Sequence, residues 1–536
     1  MSRPRAAVIL CALAGVTFCA WLIPALLGVQ PQLLPGVQLG HWSNLRLSAW
    51  FLAIAALLYP RREAWLVPLE RALEGRARWA LPAALSAFVV TYKVTQHVGF
   101  ATTAYDLSMY HYAIRHAWAD APSFMWAFGI EKNFFAEHCS PVLLAFVPVD
   151  FVFSTPLALL VSEALLFGLG AFTIAGAASS LGLRPLLAQC VAAAYATNAM
   201  CWDALNFDFH PEALLPTALF ATIWALKEKH FGWLAFSLTA VLSIKEDVAV
   251  TLLPMVALVW LDERRSWRWP LTVAAITVAW CVFAVKVAMP LARPPGEQWG
   301  MFAERYGHWG TTPGAAVMSM LSRPGEVVAA LFERPVDTQL RQLAYMPALN
   351  PVGLLASVPA ILEQRLSNSE LQRELAVYYG IGIAALWLLA LARGARWAER
   401  RFGFTAGLLI AAAPLLYHPH TRVMIATSWQ DLEDARLLAE KIPQGADVLA
   451  QTNVVPHLPV STKVKLFPAA AIDFVVLRPA TYRWPASDAE YDAAVRKLLD
   501  EEGFGVLVRT PTLVILRKGA KADENDAVKE MLPVSG

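Results

Sequence analysis

The sequence predicts a mainly α-helical, polytopic transmembrane bundle of about eleven spans plus re-entrant or interfacial helices, with a small α/β domain outside the membrane. Three observations predict it. Hydrophobic residues make up 57% of the 536 residues and charged residues only 16%, where soluble domains carry about 25% charge. Apolar runs long enough to cross a hydrocarbon core of about 30 Å recur along most of the chain. Beyond residue 424 those runs stop, and short apolar strands alternate with amphipathic helices. The net charge of +2, with no basic stripe, speaks against nucleic acid as a partner.

The spans fall at about 6–28, 45–59, 79–97, 156–178, 186–202, 213–227, 231–244, 248–261, 270–292, 376–392 and 402–418. The first begins like a signal peptide, but its apolar run is too long and lacks a small-residue cleavage site, so it reads as a retained span. Seventeen basic residues sit on alternate loops, among them Arg3, Arg61, Arg184, Lys227, Arg264 and Arg393, whereas the intervening short loops hold only Lys245. Basic loops stay cytoplasmic, so the N-terminus is expected inside and the C-terminal domain outside. "PVLLAFVPVDFVF" (141–153) and "YMPALNPVGLLASVPAILE" (345–363) would invert that pattern if either crossed alone; both read as re-entrant or interfacial elements on the outer side. The expected organisation is a transmembrane domain over 1–424 with outer loops 98–155 and 293–375, an α/β domain over 425–518, and a disordered tail over 519–536.

Four polar clusters then share the outer face. "TTAYDLSMYHYAIRHAWADAPSF" (102–124) carries Asp106 at a membrane exit, then an apolar stripe of Leu107, Tyr110, Ile114 and Trp118 that suits a helix lying along the interface. "EKNFFAEHCSP" supplies Glu137 and His138, "NFDFHPEALLP" supplies Asp208, His210 and Glu212, and "SIKEDVAV" supplies Lys245, Glu246 and Asp247. Each alone has a plain reading as a solvated loop or a helix cap. A charge at bilayer depth costs about 2.5–3.5 kcal/mol even on the lenient scale, so four clusters on one face point to a shared aqueous pocket. Metal ligation by histidine is disfavoured, because His111, His116, His138 and His210 lack a close helical pairing. A divalent cation such as Mg or Mn on Asp106, Asp208 or Glu212 fits carboxylate chemistry better. Phosphate-loop, nucleophile-elbow, dinucleotide and paired-cysteine signatures are all missing from the sequence. Most of the six cysteines are small apolar residues within spans; Cys139 and Cys201 lie near span ends, where a pairing is sterically open.

Glu163 and Lys286 lie mid-span; Lys286 can snorkel, and Glu163 is the better candidate for a transporter-like buried charge. In the loop 293–375, Arg305, Arg341 and Arg365 are of a kind that meets phosphate, although arginines in such loops are usually just solvated. In the tail, "LEDARLLAEKI" and "SDAEYDAAVRKLLDEEG" read as helices, "ADVLAQT" and "IDFVVLR" as strands, and "FGVLVRT" with "TLVILRK" as a hairpin. No internal repeat of the transporter kind is visible.

The order "YDLSMYHYAI", "NFFAEHCSPVLLAFVP", "FDFHPEALLP", "KEDVA" resembles a bacterial multi-pass membrane family called domain of unknown function 2079, over about residues 90–518. The family's F-D-L-G stands here as Tyr105-Asp106-Leu107-Ser108. Its G-D-H-F-S-P stands as Ala136-Glu137-His138-Cys139-Ser140-Pro141, with glutamate replacing the aspartate. The layout resembles GT-C glycosyltransferases, with an acidic residue opening the first large outer loop. That resemblance implies a transferase acting on a polyprenyl-phosphate-linked sugar at the membrane lipid surface, with Asp106 as catalytic base. Glu137, His138, Asp208, His210, Glu212, Lys245, Glu246 and Asp247 would then bind the substrate, and Lys245 or a divalent cation would offset the leaving phosphate. The alternatives are a transporter or flippase using Glu163, and a non-catalytic membrane partner protein.

Overall fold

In a computed structural model of the chain, the described residues are 32–34, 37–38, 63–117, 133–262, 267–293, 300–334, 336–416, 427–469 and 473–532. The expected spans 6–28 and 45–59, and Trp118, lie outside the described residues. The molecule is mainly helical, with one mixed sheet at the C-terminal end.

Three helices among the described residues are long and apolar enough to cross a membrane: Pro156–Ser180, Arg268–Ala292 and Ile381–Phe402. A fourth candidate is the pair Pro313–Ser322 and Pro324–Glu333, bent by 95° at Arg323. The expected span 79–97 is the 19-residue helix Ala80–Val98, and several others appear as shorter apolar helices, such as Pro185–Ala196, Phe231–Leu242 and Ala249–Asp262. At 1.5 Å per residue, a helix of 12 to 14 residues rises only about 18–21 Å, short of the hydrocarbon thickness. Several of the spans read from hydropathy are therefore too short, as single helices, to match that thickness. The basic stretch Arg393–Arg401, expected as a loop, instead continues the helix Ile381–Phe402. Ala and Arg propagate helix well, and the helix stops only at Gly403, whose φ of +91° favours glycine.

The helix Pro156–Ser180 is the hub. Thr155 caps it by accepting the Leu157 N–H, and Pro156 opens its first turn. Its glycines let neighbours approach closely: a Cβ on Gly168 would lie 2.0 Å from Ser86 Oγ, and one on Gly176 would lie 2.4 Å from the Trp224 ring. Small residues at such crossings are how helices pack tightly in lipid. Exposed Phe151, Val152, Phe153, Phe236 and Val282 form part of an outer surface suited to acyl chains.

A buried ion pair joins the hub to the helix Ala80–Val98. Lys93 Nζ lies 2.8 Å from Glu163 Oε2, and both side chains are fully buried. Each reaches onward to one turn: Lys93 donates to the Phe207 carbonyl at 2.8 Å, and Glu163 accepts the His210 N–H at 3.2 Å. The mid-span glutamate is thus sealed under the turn 207–210.

The stripe Leu107, Tyr110 and Ile114 does not face lipid. All three are buried in the main core, and on the flank beside them His111 meets Asp150 at 2.7 Å, while Tyr112 remains exposed. The helix Met109–His116 is therefore a packed element of the bundle. Pro141–Phe146 and Val147–Phe153 follow as two short helical pieces that supply Asp150. Cys139 and Cys201 are both buried and unpaired.

The C-terminal sheet has strands β3 (Asp447–Ala450), β4 (Lys463–Leu466), β5 (Phe474–Leu477), β6 (Phe504–Arg509) and β7 (Val514–Lys518), in the order β4-β3-β5-β7-β6. The pairs β3–β4 and β3–β5 are parallel, and β7 runs antiparallel to both β5 and β6. Trp429–Lys441 and Asp488–Asp500 carry serine capping boxes at Ser428 and Ser487. Part of the expected disordered tail is ordered. Asn525–Glu530 is a helix whose Val528 and Leu532 are buried, and Asn525 donates to the Leu499 and Phe504 carbonyls. Burial of these apolar side chains outweighs the polar composition that suggested disorder.

Lys93→Met alone leaves Glu163 buried without its counter-charge and should destabilise the purified protein by about 3–5 kcal/mol. The double variant Lys93→Met with Glu163→Leu should recover most of that loss, as read by thermal unfolding in detergent.

Candidate functional site

The turn held by Lys93 and Glu163 presents Asp208, His210 and Glu212 from one strip of backbone. Asp208 turns sideways and accepts from Thr103 through both N–H (2.9 Å) and Oγ1 (2.6 Å). His210 stacks on Tyr378 with ring centroids 3.5 Å apart, and its Nε2 lies 3.1 Å from Tyr110 Oη and 3.8 Å from Asp106 Oδ1. On its other edge, Nδ1 makes a short contact with Glu212 Oε2. Glu212 Oε1 is 3.1 Å from Lys245 Nζ, which also meets Asp247 Oδ2 at 3.1 Å. A continuous chain therefore runs Asp106, His210, Glu212, Lys245, Asp247.

Asp106 has φ +69° and ψ −78°, the values of the rarer and strained γ-turn. A non-glycine residue held there costs about 1–3 kcal/mol, which persists only where the surroundings fix it. Here the C-terminal sheet domain does the fixing. Thr452 Oγ1 accepts the Ala104 N–H at 3.3 Å, Asn453 donates to the Phe100 carbonyl at 3.3 Å, and Arg478 lies over the Phe100 ring at 4.1 Å. His457 stacks between His97 and Phe100, and Tyr105 meets Trp484 edge-on.

Burial shapes the charges. It pushes Asp106 up to about 7, helped by the nearby Glu212 carboxylate and opposed by His138 and Arg305. Asp208 is pushed up to about 8, again first by burial, although Thr103 works against the shift. Burial acts on Glu212 in the same direction, but His210 and Lys245 outweigh it and hold this carboxylate below its usual range. Two carboxylates near one another are thus set apart: Glu212 stays ionised and Asp106 titrates near neutrality.

A second couple lies alongside. His138 Nδ1 is 3.2 Å from Glu246 Oε1, and Glu246 Oε2 accepts the Cys139 N–H at 2.9 Å. Glu137 accepts the Met301 N–H at 3.1 Å, and Arg293 donates to the Ala136 carbonyl at 2.6 Å. Together with Lys245, Asp247 and Arg305 these groups form the polar end of a cavity of 780 Å³. Its other walls are apolar, built from Val285, Met289, Phe302, Met320, Leu321 and Val328. The bent helix pair 313–333 supplies one of those walls.

The family profile described as "Predicted membrane protein (DUF2079)" matches residues 96–501. The chain belongs to this family. No curated protein matches the sequence. Among solved structures, this DUF2079 protein is similar to ArnT from Cupriavidus metallidurans bound to undecaprenyl phosphate. The two are 14% identical over 84% of this chain and 99% of that one, with a TM-score of 0.45.

Of the nine residues singled out in the DUF2079 sequence, Asp106, His210, Glu212, Lys245 and Asp247 join in one chain of contacts, and His138 pairs with Glu246 beside it. Glu137 lines the cavity from its own wall, and Asp208 braces the Asp106 loop through Thr103. The carboxylates Asp106, Asp208 and Glu212 face different partners. Asp208 is committed to Thr103 and Glu212 to His210 and Lys245, and no three His, Cys, Asp or Glu side chains among the described residues form a metal-binding group. Of the three loop arginines only Arg305 reaches the site, where it donates to Tyr379 Oη at 3.0 Å. Arg341 pairs with exposed Asp337, and buried Arg365 bonds the Arg373 carbonyl. Tyr110 and Tyr378, which sandwich His210 edge-on and face-on, were not singled out. Tyr110 lay in the apolar stripe, and "YY" at 378–379 gave a weak signal at the head of a span.

Glycine occupies the Asp106 conformation without strain. Asp106→Gly should raise the thermal midpoint, by an amount equivalent to about 1–3 kcal/mol, while Asp106→Ala should not reach the same value.

Proposed function

We propose that this protein is a membrane glycosyltransferase that moves a sugar from a polyprenyl phosphate to an envelope acceptor on the outer side of the membrane. The observation that carries the reading is a strained carboxylate, Asp106, linked through His210 and Glu212 to Lys245, which lines the polar end of a largely apolar cavity. An amphiphilic donor matches such a cavity: its chain lies along the apolar wall beside lipid, and its phosphate and sugar occupy the polar end. The orientation rests on the basic-loop pattern, with the N-terminus inside and the sheet domain outside.

In this reading the ionised Asp106 carboxylate takes the proton of an acceptor hydroxyl as its oxygen bonds to the anomeric carbon. The bond between that carbon and the phosphate oxygen breaks, and its electron pair leaves with the polyprenyl phosphate. Lys245 and Arg305 offset the charge that develops there. His138, Glu246 and Asp247 hold sugar hydroxyls, and His210 with Glu212 fixes the position of Lys245. Lys245 and Arg305 replace a divalent cation in this scheme, because the carboxylates form no joint donor set. Transport is disfavoured by Glu163, which is fully buried against Lys93 and lines neither the 780 Å³ nor the 870 Å³ cavity.

The base must be ionised to act. Turnover should therefore fall as pH drops through about 7, roughly tenfold per unit below it, under the combined influence of Glu212, His138 and Arg305 on Asp106. Asp106→Asn should lower transfer from a polyprenyl-phosphate sugar by about 100- to 10,000-fold with the fold intact. Wild-type turnover in that variant would reject the role. Unchanged envelope glycans in a deletion strain would reject the whole reading. Lys245→Met should weaken turnover equally with and without EDTA, and abolition of wild-type turnover by EDTA would return the phosphate to a metal.

A further inference from the structure

A second cavity, of 870 Å³, lies between the sheet domain and the helix Met109–His116 and shares no lining residue with the first. Its inner end is formed by Tyr105 and Ser108, the residues on either side of Asp106 and Leu107. One wall is the helix face bearing Tyr112 and Arg115; the other is the edge strand β4 with the loop before it.

The charges of the two cavities differ. At the apolar-walled cavity, Glu137, Glu246, Asp247 and Glu363 outnumber Lys245 and Arg305. In the second, Lys463, Lys465 and Arg115, the last with Nη1 3.9 Å from buried Asp150, stand with a single lining carboxylate, Asp447. Lys463 and Lys465 are exposed and alternate along β4, so both project from one face of the strand. Neither forms an ion pair among the described residues. Lysine on an edge strand often serves only to block pairing with another sheet. Here the lysines line a cleft with Arg115 across from them, and that cleft runs to the loop of Asp106.

We infer that this cleft is the acceptor site and that it takes an acidic saccharide, a glycan bearing carboxylate or phosphate groups. The inference rests on the glycosyltransferase reading for the word acceptor, but the binding itself does not. Lys463 and Lys465 meet the acidic groups from the strand side, with Arg115 across the cleft. A hydroxyl placed at Ser108 would then stand within reach of the Asp106 loop. The lipid donor and the polar acceptor would each have a separate entrance, matched to the solvent from which it comes.

The test is equilibrium binding to the full chain in nanodiscs of zwitterionic lipid. The probe is a fluorescein-labelled oligogalacturonate, with a neutral malto-oligosaccharide of the same length as control. The acidic probe should bind, and should weaken as salt rises. The pair Lys463→Glu and Lys465→Glu should weaken it roughly tenfold, equivalent to about 1.4 kcal/mol. Lys463→Gln with Lys465→Gln should give a smaller loss in the same direction, which guards against misfolding of the reversed pair. Asp106→Asn should keep full binding. Equal binding of the neutral sugar, or binding unchanged in both lysine pairs, would overturn the site. Displacement of the probe by phosphatidylglycerol vesicles would assign the cleft to a lipid headgroup and overturn the saccharide. If transfer is never detected while lysine-dependent binding holds, the enzymatic reading falls and the binding site stands.

Discussion

The structure depends on the contact between Lys93 and Glu163. Two opposite charges enclosed in a helical core would be costly if either stood alone, and together they tie the helices Ala80–Val98 and Pro156–Ser180 at a fixed register. Their remaining hydrogen-bonding capacity goes to the backbone of Phe207 and His210. The same two residues that lock the helices therefore set the height of the turn that carries the polar cluster. The sequence contains no strong sign of this, since Lys93 sits in a span as one more amphipathic residue able to snorkel.

Above that foundation, the site is arranged by unequal environments. Glu212 lies between His210 and Lys245 and keeps its charge. Asp106, near Glu212 but lacking a comparable cation at hydrogen-bond distance, is held closer to neutrality. Such a division suits proton transfer, because a group that titrates near the working pH both accepts and releases protons readily. The backbone contributes as well: the strained turn at Asp106 is fixed by contacts on both sides, from Asp208 through Thr103 and from the sheet domain through Thr452 and Asn453.

Much of this was legible in the sequence, and the reasons are physical. Charged residues in an apolar chain are expensive, so their positions stand out; Asp106, His210, Glu212, Lys245 and Asp247 lie in one chain of contacts, whereas Arg341 and Arg365 lie elsewhere. The α/β unit was legible because short apolar strands alternate there with amphipathic helices; the β4 strand "KVKL" was missed because two of its four residues are lysines. Hydropathy was a poorer guide to where helices end. It merged Pro185–Ala196 with Ala199–Asn206, and it treated Arg393–Arg401 as a loop because charge, rather than helix propensity, decided the boundary. Aromatic partners such as Tyr110 and Tyr378 were invisible, because an aromatic side chain in an apolar run carries no mark of function until its neighbours are known.

The contacts from Thr452 and Asn453 to Ala104 and Phe100 join residues 348 and 353 positions apart in the chain. A ribosome making this protein delivers the early loop hundreds of residues before the segment that braces it. During that interval the turn around Asp106 has no support from the sheet domain. A chain broken off before the sheet domain would carry every charged group of the pocket yet lack the brace that keeps them in order, so the pocket's final order waits on synthesis of that domain.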